Sequence, residues 1–158
     1  MANTNIADVI DWIATQVVAT APPIVTAPTD TAFVRATPAL ESFADNPGTI
    51  FKNHDRQFEI RLTGRRELDT FGSGSDRQVE QGFEVEVMYV QSLARAGLEA
   101  RMGRDAEAIE NRLANRTGNP AGVILVLPRS SAVRRASTHP DKVTQVLGFT
   151  VQYQLSMS

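Results

Sequence analysis

Arg129, Arg134, Arg135 and Lys142, interleaved with Ser130, Ser131, Ser137 and Thr138, form the densest group of chemically capable side chains in the sequence. Closely spaced cations displace the counterions condensed on a phosphate backbone, so such a cluster can grip nucleic acid. It can equally pair with carboxylates of another subunit or form a solvated loop, and it has no aromatic residue on which a base could stack. Glu84 and Glu86 alternate along one strand and therefore point the same way, the arrangement of a carboxylate pair. The simpler reading is the wet side of a hairpin, neutralised across the strands by Arg61 or Arg65. His54 and His139 stand apart, without the His-x-x-x-His or cysteine partners of a transition-metal site, and the chain has no cysteine. There is no Gly-x-Ser-x-Gly elbow for a serine nucleophile. Gly72-Ser73-Gly74-Ser75 lacks the lysine and the following helix of a phosphate loop, and reads as a flexible tip. These residues together point to a chain that is not an enzyme and carries no cofactor or metal.

Length and charge narrow the partners. At 158 residues the chain fits one domain with a core large enough to stand without disulfides or metals. A net charge of −2 supplies no global pull toward nucleic acid or anionic membrane, so any such contact needs a local basic patch. Lys52 and Lys142 are the only lysines; arginine, whose planar fork suits bidentate pairing, supplies the other basic residues. No apolar run approaches the ~20 residues that span a bilayer, and no basic segment precedes an apolar one at the N-terminus. The expectation is a soluble, unprocessed protein without membrane contact.

The elements that position these groups are legible as periodicities. Ile6, Val9, Ile10, Ile13 and Val17 recur at helical spacing behind a cap at Thr4 or Asn5, and Pro22 and Pro23 end that helix. Trp12 falls on it, as part of the core or as a recognition residue. Residues 21–46 are a Pro-rich connection, with a short strand at Phe33 and Val34 and a helical turn over residues 38–43. Residues 56–68 alternate as a strand with one wet face. Residues 69–80 hold a flexible hairpin tip, and Phe83, Val85, Val87 and Tyr89 mark the returning strand. Residues 93–116 read as a helix with Leu98, Met102, Ala106, Ile109 and Leu113 on its apolar stripe and Arg101, Arg104, Glu107, Glu110 and Arg112 elsewhere. Val123-Ile124-Leu125-Val126-Leu127 is continuously apolar, the pattern of a central strand. Residues 143–155 alternate with period two as a long closing strand, roughly 43 Å at about 3.3 Å per residue. The expected fold is a single α+β domain over residues 1–158: a mainly antiparallel sheet with a long hairpin and a long C-terminal strand, and two helices packed on one face.

The wording of four elements adds to this. The helix Ile6-Ala7-Asp8-Val9-Ile10-Asp11-Trp12-Ile13, the strand Gly82-Phe83-Glu84-Val85-Glu86-Val87-Met88-Tyr89-Val90, the helix Asp105-Ala106-Glu107-Ala108-Ile109-Glu110-Asn111-Arg112-Leu113 and the strand Leu147-Gly148-Phe149-Thr150-Val151-Gln152-Tyr153-Gln154-Leu155 follow one another in an order that resembles the tail terminator (tail-completion, or tail-to-head joining) proteins of long-tailed bacteriophages. The resemblance covers nearly the whole chain as architecture and size. It implies a structural virion protein, assembled in the host cytoplasm, that forms a hexameric ring on the last ring of the tail tube. Its partners are then its own copies, the tail tube protein, the head–tail connector in the neck, and double-stranded DNA passing through the lumen without sequence-specific binding. On this view Arg129, Arg134, Arg135, Lys142, Phe71 and Trp12 are interface candidates, and Glu84 and Glu86 are lumen-facing carboxylates over which DNA slides. Two alternatives stand beside it: another neck or head-closure component of the same particle, and a small ligand-binding or enzymatic domain with a pocket near Glu84, Glu86 and His54.

Overall fold

The computed structural model describes residues 4–25, 32–36, 55–68, 76–90, 97–135 and 141–156. Helix α1 (Ile6–Ala19) begins at Asn5, whose side chain accepts from the Asp8 amide while the Asp8 carboxylate accepts from the Asn5 amide. This reciprocal cap satisfies N–H groups that a helix start otherwise leaves open. The chain continues through β1 (Val34–Arg35), β2 (Gln57–Glu67), β3 (Asp76–Val90), α2 (Leu98–Ala114), β4 (Val123–Arg135) and β5 (Lys142–Ser156). These strands make one sheet in the order β1-β2-β3-β5-β4, antiparallel except for the parallel β1–β2 pair. The fold is α+β, with both helices on the same face.

The β3–β5 ladder is the spine. It runs without a register shift from Asp76 opposite Ser156 to Val90 opposite Lys142. Odd-numbered residues of both strands face the helices, so Val79, Phe83, Val85, Val87 and Tyr89 meet Val143, Leu147, Phe149, Val151 and Tyr153 under Val9, Ile13 and Val17 of α1 and Met102, Ile109 and Leu113 of α2. Phe83 and Phe149 are direct cross-strand partners, and their rings stack at 5.2 Å. Such pairs add to sheet stability beyond the area they bury.

Several expectations change. The apolar run at residues 123–127 suggests a central strand, yet β4 is an edge strand on which Ile124 and Leu125 are 41% and 36% exposed. A register shift between Val123 and Leu125 breaks the alternation there, so Val123 and Val126 both reach the core and the run between them turns outward. β4 also continues past Pro128 to Arg135 where a loop is expected; proline is tolerated on an edge, and a second shift lies between Pro128 and Ser130. Residues 76–80, assigned above to the hairpin tip, are strand: Val79 pairs with Glu67 on one side and Tyr153 on the other. Helix α2 starts at Leu98 behind Gly97, which has φ +73°; residues 93–96, where the helix is expected to begin, lie outside the described residues. The expected turn at 38–43 and the tip at 69–75 lie outside the described residues.

Candidate assembly interface

A buried charge network ties α2 to the sheet. The Arg56 guanidinium donates to both oxygens of Asp105, from Nε at 2.7 Å and Nη2 at 3.1 Å, and Nη2 also donates to the Ile24 carbonyl at 2.6 Å. The Tyr89 hydroxyl donates to the same Asp105 carboxylate at 2.7 Å. Beside this pair, Arg101 donates to Asp55 at 2.6 Å, and the other oxygen of Asp55 accepts the Val90 amide at 3.0 Å. Arg56 and Asp105 are both 0% exposed, and Arg56 has φ +57°, a conformation that a non-glycine residue keeps only where its surroundings fix it. Burial, then the charge and hydrogen bond of Asp105, push the Tyr89 hydroxyl well above its ordinary pKa. It therefore stays protonated as a donor, and the network is a closed fastening between α2, the end of β3 and the approach to β2. Arg101 is placed above off the apolar stripe of the helix; the structure buries it. The sequence does carry a signal, because Arg101 and Asp105 sit four apart and adjoin Met102 and Ala106 on the apolar stripe.

Several singled-out residues prove inaccessible. Trp12 is 6% exposed and donates from Nε1 to the Thr117 carbonyl at 2.9 Å, which makes it a core residue joining α1 to the turn after α2 and removes it as an interface candidate. Glu86 is 1% exposed with Arg61 Nε at 3.9 Å, so the arginine neutralisation holds while the open, lumen-facing position does not. Its neighbour Glu84 is half-buried on the same face. Lys142 opens β5 opposite Val90 and is 8% exposed, so it belongs to the buried end of the sheet and not to a solvated basic loop. The cause is common to Glu86 and Lys142: this end of the face opposite the helices is covered, with Ala36, Met88 and Val90 packed together there. His54, His139 and Phe71 lie outside the described residues. Among the described residues, no group of His, Asp or Glu is arranged to hold a metal ion, and no helix is long and apolar enough to cross a membrane.

Exposed features gather at the two edges of the sheet. Along β4, Ile124, Leu125 and Val133 are open to solvent, the last at 55%. Arg134, opposite Thr144, is exposed; Arg129 is exposed but anchored, its Nε donating to Thr150 Oγ1 at 2.9 Å, and Arg135 closes the strand opposite Val143. The expected basic loop is thus mostly a basic strand edge: β4 has three arginines and no acidic residue. At the other edge, α1 and β1 frame an open groove of about 480 Å³ lined by Asp11, Ala14, Thr15, Val18, Ala19 and Arg35. Val18 there is 50% exposed, and Val34 on β1 is 48% exposed. Asp11, whose side chain is 78% exposed, stands 3.8 Å from Arg35. Helix α1 has two aspartates and no basic residue. No protein-family model and no curated protein matches this sequence. The two edges offer another surface mixed apolar and charged contacts.

Proposed function

We propose that this protein is a structural virion subunit of the tail-terminator kind, which forms a ring, hexameric as in the family it resembles, at the head-proximal end of a phage tail. In that role it ends the tail tube and joins it to the head connector, and DNA passes through its lumen. The observation that carries the reading is the pair of unlike exposed edges, one apolar and basic on β4 and one at α1 and β1 where exposed valines stand beside the Asp11–Arg35 pair. A subunit with different sticky surfaces on its two sides makes head-to-tail contacts, and such contacts close into rings when the rotation between copies permits. The long rigid β3–β5 ladder holds the two edges in fixed relation.

Size-exclusion chromatography with light scattering, run over protein concentration and a salt series, tests this, with electron microscopy of the assembled fraction. The expected result is a ring-sized species that weakens as salt rises, because exposed ion pairs are screened. Replacing Arg134 and Arg135 by glutamate is expected to weaken assembly without lowering the melting temperature of the monomer. A persistent monomer at every concentration and salt would overturn the proposal.

A further inference from the structure

Resting on the ring reading, we infer that the β4 edge of one subunit docks into the α1/β1 groove of the next copy. The argument starts from position. In the order β1-β2-β3-β5-β4 these surfaces sit at opposite margins of one sheet, so a single subunit cannot satisfy one with the other, whereas a line of copies can. Four strand spacings of about 4.8 Å put the backbones of β1 and β4 roughly 19 Å apart. The chemistry is complementary. Val18 and the alanines of the groove offer an apolar wall to Val133, and the Asp11 carboxylate, 78% exposed and 3.8 Å from Arg35 of the same groove, has an open side for the cation Arg134 brings. The arginines of β4, with no acidic residue among them, also disfavour pairing that edge with its own copy, since like charges would meet.

The occupant is thus a second copy of this chain, in a head-to-tail contact. Its test uses the native absence of cysteine, which makes an introduced thiol the only one present. Val18→Cys and Val133→Cys are made in separate chains and exposed to a short thiol-reactive crosslinker singly and mixed. Both positions are solvent-exposed, so the variants should keep the monomer fold, and a circular dichroism melt checks this. The expected result is covalent dimer from the mixture and none from either variant alone. In parallel, Asp11→Lys and Arg134→Glu should each raise the concentration for half-assembly by about tenfold or more, and the two changes in one chain should restore it, because the contact is rebuilt with its signs exchanged. Dimer from V133C alone would show β4 meeting β4 and overturn the head-to-tail contact while leaving self-association standing. Assembly without crosslinking in the mixture, or failure of D11K/R134E to restore assembly, would overturn it as well. A chain that stays monomeric would overturn both this contact and the ring itself.

Discussion

Removing the Asp105 carboxylate should cost more stability than any other single polar change in the described structure. The residue accepts three hydrogen bonds, two from Arg56 and one from Tyr89, in a region where both members of the ion pair are fully buried. Asp105→Leu leaves the guanidinium without its counter-charge in a low-dielectric interior, and breaking one partner of such a pair typically costs ~3–5 kcal/mol. At about 2–4 °C per kcal/mol for a domain of this size, the melting temperature should fall by roughly 6–20 °C. Arg56→Met with Asp105→Leu should recover most of that loss, because neither position then buries a charge and the side chains still fill space. The recovery is incomplete to the extent that the Arg56 bond to the Ile24 carbonyl is also lost and that position 56 keeps φ +57°. Urea denaturation of wild type, both single variants and the double variant, at concentrations below assembly, gives the coupling energy directly. A D105L cost under about 1 kcal/mol, or a double variant as unstable as the two singles summed, would refute the account of this network as a coupled fastening.

Tyr89 gives a prediction in alkali. Its folded pKa lies above the ordinary value of 10.0, so the folded state holds the proton longer than the unfolded chain does; the stability this contributes is whole below that value and is lost as pH rises toward the folded pKa. Stability should therefore fall more steeply above about pH 10 in wild type than in Tyr89→Phe, and superimposable slopes in pH-dependent urea melts would count against it. Gly82 gives a steric one: a Cβ there would stand 2.3 Å from Thr63 Oγ1 and 3.2 Å from the Gly64 carbonyl oxygen, beside the register shift between Leu62 and Arg65. Gly82→Ala should cost about 1–3 kcal/mol, and less in a Thr63→Ala background where the nearer atom is gone; a G82A melt matching wild type would contradict the close packing of the two strands.

The residues that announced themselves in the sequence are those whose surroundings are uniform along an element. Val143, Leu147, Phe149, Val151 and Tyr153 all face one dry core, so period two survives and β5 is visible nearly to the residue. The stripe on α1 is clear for the same reason. β4 is misread because a bulge changes its phase after Val123, and Pro128 looks like a terminator on any strand except an edge. The buried charges are hidden for another reason. Arg101 and Asp105 have the spacing of an ordinary surface pair, and only the arrival of Asp55 and Arg56, 46 and 49 residues away, makes burial affordable. Glu86 shares its face with Glu84, as alternation requires, but its burial depends on what covers that end of the sheet. Of the candidate site, the arginines were legible as a group; the groove they are proposed to meet was not, since it exists only where Arg35 is brought beside α1.

The same irregularities that hid β4 bear on how it would bind. A long open edge invites another strand to continue the hydrogen-bonded ladder, and proteins discourage this with bulges, proline and outward charges. β4 has all of these: register shifts after Val123 and Pro128, a proline without an amide donor between them, and Arg134 toward its end. An incoming strand could not pair along its whole length. What remains available is side-chain docking, with Ile124 and Leu125 on one side of Pro128 and Val133 and Arg134 on the other. A groove walled by a helix and floored by a two-residue strand suits that mode, because β1 has too little backbone to nucleate a ladder and ample apolar wall to receive a side chain. Docking of this kind is directional and fixes the rotation from one copy to the next, and it is that rotation which decides whether a line of copies closes into a ring.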